Sequence, residues 1–145
     1  MTTISLADWG QSPPIVVGKD ELRQVTIAAL TDVGTTSADF LLFELDRAKI
    51  VPDGMVPPDV VRLGSIVRYK AVPGDERTIK LVLPSDAEPS GNYRLSVTSS
   101  HGSALIGLQA GAAMSWIDAD GKVQRLKVLG VINLGAADDP GPDAA

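Results

Sequence analysis

Cysteine is absent from these 145 residues, which excludes disulfides and thiolate metal sites. Histidine occurs once, at His101. That is too few for a histidine-based metal centre, and a histidine-serine-acid triad would need this one ring to converge with two specific partners. No apolar run approaches the roughly 20 residues that a membrane span requires, so a soluble protein that needs no membrane is expected. The opening residues "MTTISLADWGQSPP" have neither a basic start nor a continuous apolar stretch, unlike a secretion signal, and the expected location is cytoplasmic.

What is present fits one compact core. The length suits a single domain with a small appended element, and 44% hydrophobic with 21% charged residues is close to the globular average. The net charge of -5 is unevenly spread: -4 over residues 1–56, +2 over 57–134 and -3 in the tail. A chain of this sign repels phosphates overall, which speaks against direct nucleic-acid binding. Its mildly basic middle suits an acidic protein surface, so a protein partner is expected.

Two helical patterns precede a run of strand patterns. Leu22, Val25, Ala29 and Leu30 share one face of a helix over Lys19–Leu30, with Asp20 and Glu21 in its first turn. After a reversal at Gly34, "TSADFLLFELDRA" places Ala38, Leu41, Leu42, Leu45 and Ala48 on one face, with Thr36 or Ser37 as cap and Glu44, Asp46 and Arg47 solvated. The two make a short antiparallel hairpin with arms roughly 15 Å long. "VPDGMVPPDV" cannot continue a helix and sets a boundary near residue 57.

Beyond it the period becomes two. "IVRYKAV" and "RTIKLVL" alternate as strands with one buried face, and further strands are predicted at Tyr93–Thr98, Met114–Asp118 and Val123–Leu134. Asp118–Gly121 makes a hairpin turn, and Ser103–Leu108 a brief helix. The chain thus divides into a flexible start (1–14), a helical hairpin (15–56), an antiparallel sheet domain with one short helix (57–134) and a disordered acidic tail (135–145), an α+β fold.

The stretch "SVTSSHGSALIG", residues 96–107, crowds small polar side chains and the one histidine before an apolar turn. It holds no carboxylate or lysine to activate a hydroxyl as a nucleophile. It reads as a contact surface or, more plainly, as a strand end and a helix cap.

"LSVTSSHGSALIGLQAGAAMSWIDADGKVQRLKVLGV" resembles the C-terminal domain of the Gre transcript-cleavage factors, and "FLLFELDRAKIVPDGMVPPDVVRLGSIVRYK" resembles their Rnk subgroup, regulators of nucleoside diphosphate kinase. The resemblance covers about residues 15–134. It implies an FKBP-like second domain and docking on RNA polymerase at the rim of its secondary channel, where the strand-to-helix turn meets the coiled coil of the β′ subunit. The matching residues here are Thr98, Ser99, Ser100 and His101. The family pattern places an acidic or small residue, then serine and proline, at the first three, so Thr98 removes a charge and Ser100 a fixed backbone angle.

Gre factors carry paired acids on a long coiled-coil tip to the catalytic metal. This hairpin is short, and its tip offers Asp32 and Asp39, six residues apart, with Asp39 placed to interact with a helix dipole. The expectation is a non-enzymatic polymerase-binding regulator without cofactor or metal, which competes with Gre factors without stimulating cleavage. The alternative is a prolyl isomerase or peptide-binding module, suggested by the implied fold alone. Direct regulation of nucleoside diphosphate kinase follows only from the subgroup's name.

Overall fold

The structure is a computed structural model that describes residues 13–32, 34–72, 74–90, 92–118 and 120–133. Most of the predicted flexible start and the whole of the predicted tail lie outside them. Strand β1 (Val16–Gly18) leads into helix α1 (Lys19–Thr31), and helix α2 (Thr36–Arg47) leads into β2 (Lys49–Val51). The hairpin is closed at its base because β1 and β2 pair in parallel, Val17 opposite Ile50. The reversal between the helices uses Gly34 at φ 100°, a conformation that costs glycine little.

Each helix buries one stripe. In α1 it is Glu21, Val25, Ala28 and Ala29, while Leu30, predicted for the buried face, is exposed. In α2 it is Ala38, Leu41, Glu44 and Leu45. The α2 cap is Thr35, one residue before the predicted pair: its Oγ1 accepts the Ala38 amide at 3.2 Å. Glu44 is not solvated as expected but buried, because Arg47 one turn later pairs with it through both Nε and Nη2. Arg47 also donates to the Pro13 carbonyl at 2.9 Å, which ties the incoming chain to the end of α2.

The amino end of α1 is capped from a distance. Its N-cap is Gly18, which has no side chain to offer, and a Cβ there would lie 2.7 Å from an Asp53 oxygen. Asp53, in a 3-10 turn of the proline-rich joint, accepts the Asp20 amide through Oδ1 at 2.7 Å. Its other oxygen takes Arg62 Nη2 at 3.2 Å, and Arg62 Nε donates to the buried Glu21 at 3.0 Å. Glu21 also accepts the Leu63 amide at 2.7 Å. Burial pushes the Glu21 carboxyl above its ordinary range, against the opposing pull of the Leu63 amide and the Arg62 charge.

Strands β3 (Ile66–Val72), β4 (Glu76–Val82), β5 (Arg94–Ser96), β6 (Ala113–Ile117) and β7 (Val123–Ile132) form one sheet in the order β5-β4-β3-β7-β6. It is antiparallel as predicted except at one edge: β5 joins β4 in parallel, Leu81 opposite Leu95. The predicted alternation holds in β3, where Val67, Tyr69 and Ala71 are buried and Arg68 and Lys70 exposed. Helix α3 (Ser100–Leu105) and the hairpin cover the buried face. A single core cluster runs through all three, joining Val25, Leu41 and Leu45 to Tyr69, Leu81, Leu105 and Leu126, and Phe40 of α2 stacks on Trp116 of β6 at 6.2 Å. Each such fully buried aliphatic side chain is worth about 1.5–3 kcal/mol.

Asp53→Ala removes both the remote cap of α1 and one partner of Arg62. It should lower stability in urea titration by about 1–2 kcal/mol, the usual cost of a lost cap, although Asp53 lies outside the helix. An unchanged midpoint would show that the clamp contributes nothing.

Candidate functional site

Strand β5 ends as Val97 donates its amide to the Val82 carbonyl at 2.8 Å, and the chain turns at once into α3. The Ser96 carbonyl accepts from the Ser99 amide at 3.0 Å and from Ser99 Oγ at 2.6 Å. Ser99 is also the N-cap, accepting the Gly102 amide at 3.0 Å. The helix sits so close over the strand end that a Cβ on Gly102 would fall 2.0 Å from the Ser96 oxygen. No side chain fits there.

Helix α3 therefore begins three residues before the predicted helix. Of the four predicted docking residues, Thr98 and Ser99 form the turn, and Ser100 and His101 belong to the first helical turn. Their polar groups are mostly engaged within the molecule. Buried Thr98 shares a hydrogen bond with Ser96 Oγ at 2.8 Å. Ser100, the most exposed of the four, accepts from Trp116 Nε1 at 3.3 Å. What the turn presents outward is a fixed shape with few free donors.

His101 points inward. Its Nδ1 lies 2.8 Å from the Tyr69 hydroxyl, and its ring meets the Tyr69 and Trp116 rings edge-on at 5.5 and 5.9 Å. Arg77 Nη1, which can only donate, reaches the same hydroxyl at 3.3 Å. The tyrosine proton is thereby directed to His101 Nδ1, which assigns the His101 proton to Nε2 from the network. Burial, and then the Arg77 charge, push the His101 pKa down, while burial pushes Tyr69 up.

Beside the turn lies an open cleft of about 340 Å³ between α2, α3 and the β6–β7 turn. Thr36 and Ser37 line one wall, Ser100 and Ser103 another, Phe40 and Trp116 the floor, and Asp118 and Asp120 the rim. Asp118 accepts the Asp120 and Lys122 amides at 2.9 Å and Gln124 Nε2 at 2.8 Å, which holds its carboxyl below the usual range. The hairpin turn predicted at Asp118–Gly121 is confirmed, but its place beside Ser100 was not legible, since only the folded sheet brings them together.

The two tip acids stay apart in role. Asp32 closes α1, its carbonyl accepting the Thr35 amide at 3.2 Å, and Asp39 stands exposed in the first turn of α2. Among the described residues, no group of three or more histidine or acidic side chains is arranged to hold a metal ion, and no helix is long and apolar enough to cross a membrane.

Residues 56–133 match the family described as "Transcription elongation factor, GreA/GreB, C-term". The chain is 37% identical over 97 residues to the Regulator of nucleoside diphosphate kinase of Escherichia coli K12, a match covering 66% of this chain and 71% of that one. It is 38% identical over 88 residues to the transcription elongation factor GreA of a Clostridium botulinum strain, covering 60% of this chain and 54% of that protein. Among solved structures, a prokaryotic transcription elongation factor GreA/GreB from Nitrosomonas europaea aligns with a TM-score of 0.64 at 31% identity, over 84% of this chain and all of that one. The fold is thus GreA-like. The prolyl-isomerase alternative finds no support among these matches.

The His101 network makes stability fall in acid. With the folded pKa below the unfolded value, its contribution is fully present above about pH 6.5 and is lost as pH falls through the folded value. His101→Asn, which keeps an acceptor for Tyr69, should flatten this dependence. Thermal melts of both proteins between about pH 7.5 and 5 test it, and parallel curves would contradict it.

Proposed function

Since the chain belongs to the GreA/GreB C-terminal domain family of transcription elongation factors, as its match over residues 56–133 shows, we propose that it is a non-enzymatic regulator that binds RNA polymerase. It docks at the rim of the secondary channel through the turn of Thr98, Ser99, Ser100 and His101, with Ser99 and Ser100 outward and Thr98 and His101 shaping it from within, against the coiled coil of the β′ subunit, and acts there by excluding Gre-type factors. Such a regulator works in the cytoplasm and needs no cofactor.

The observation that carries this reading is the size of the hairpin beside a preformed docking turn. Its helices of 13 and 12 residues are only about 20 and 18 Å long. A protein that occupies the rim with such short arms blocks the entrance without reaching the catalytic metal, and Asp32 and Asp39 flank the reversal rather than forming a pair. The turn suits docking because its hydrogen bonds are already satisfied, so little ordering cost attends binding.

The protein should bind purified core RNA polymerase, fail to stimulate cleavage of backtracked transcripts at saturation, and reduce the cleavage stimulated by a Gre factor. Ser99→Arg should weaken polymerase binding by on the order of 1–3 kcal/mol. Ser99→Ala separates docking from folding: it loses the same cap, at about 1 kcal/mol of stability, yet should bind nearly as wild type. Cleavage that rises with added protein and falls on Asp32→Ala would contradict the exclusion mechanism, and equal affinity of wild type and Ser99→Arg would place the contact elsewhere.

A further inference from the structure

The face of the sheet turned away from the hairpin carries a row of basic side chains with one acid, Glu76, among them. Strand pairing fixes which side chains share it: Lys80 lies opposite Arg94 and Ile66, Arg68 opposite Thr78 and Gly130, Lys70 opposite Glu76 and Lys127, and Arg125 opposite Val72 and Ser115. Arg94, Lys80, Arg68, Lys70, Lys127 and Arg125 therefore form a diagonal stripe over four strands. With strands about 4.8 Å apart and like-facing residues about 6.7 Å apart along each, it is about 25 Å long. Among the described residues only Arg68 has an ion-pair partner on this face, Glu76 at 3.3 Å, and both side chains are more than half exposed. A protein of net charge -5 has thus gathered six of its 13 basic residues on one surface.

We propose that this face is a second docking surface, for an acidic segment of a protein partner. The stripe offers a row of cations at spacings that a string of carboxylates can follow, and exposed Val72, Ile117, Val123 and Ile132 flank it with aliphatic surface. A nucleic acid fits less well. None of the paired positions on this face carries an aromatic ring on which a base could stack, and phosphates leave the aliphatic flanks unused. The face lies on the opposite side of the sheet from α3, whose His101 packs on the inward ring of Tyr69. Both surfaces are therefore accessible at once, and the proposal does not depend on the polymerase reading.

The full chain is titrated, by fluorescence anisotropy, into a labelled peptide of glutamate with leucine at every fourth position, and separately into a labelled thymidine oligonucleotide of equal length. The peptide should bind, and more weakly as salt rises from about 0.05 to 0.3 M. Lys70→Glu, Arg125→Glu and Lys127→Glu together should weaken it at least about tenfold, while Ser99→Arg leaves it unchanged. If thermal melts show the triple variant unfolded, the three glutamine substitutions serve instead, with a loss in the same direction. Absence of peptide binding at low salt, equal binding by the variants, or tighter binding of the oligonucleotide than of the peptide would overturn the proposal.

Discussion

A carboxylate buried beside an arginine decides how the two halves of this protein meet. Glu21 sits on the inward stripe of α1, where an apolar side chain would be ordinary, and is kept there by the Leu63 amide and the Arg62 guanidinium. Arg62 is held in turn by Asp53, which also caps the start of α1. A buried ion pair of this kind gives little net stability, because desolvation offsets most of the attraction, yet it is costly to break on one side only. Its effect is geometric: three segments distant in sequence are admitted in one arrangement. The hairpin is thereby laid against the sheet with Phe40 over Trp116, and the cleft beside α3 exists as a consequence.

The turn at Thr98 and Ser99 follows from the same economy of polar groups. Thr98 and Ser99 terminate a strand, cap a helix and close over a glycine at once, leaving the turn little freedom to move. Rigidity of this sort and a role in recognition are compatible, since a surface ordered beforehand loses less entropy on binding. On the proposed reading, a bound protein with such short helices covers an entrance and carries no reactive group inward. The charged far face of the sheet remains free for a different contact.

Periodicity made most of the architecture legible from the sequence. The helices, the central strands and the β6–β7 turn are local patterns, and local patterns survive into the fold. What escaped was set by partners far along the chain. Glu44 looked like a solvated acid and Glu21 like a first-turn acid at the helix end, because the arginines that allow their burial act only in three dimensions or through a specific rotamer. The reversal fell at Gly34 as read, but the cap fell to Thr35, directly after it, rather than to Thr36 or Ser37. Strand β5 joined in parallel because the residues between it and β4 carry the chain across rather than back. The small polar residues of 96–103 were found as a cluster, but the inward turn of His101 depends on a tyrosine from another strand.

Amide hydrogen exchange of the full chain, alone and with excess core RNA polymerase, addresses the central claim most directly. The account predicts added protection at residues 98–103, concentrated in the turn and the first turn of α3, with the hairpin helices slowed less. Unaltered exchange there in a complex that demonstrably forms would contradict it, because a docking turn cannot be covered and continue to exchange as though free.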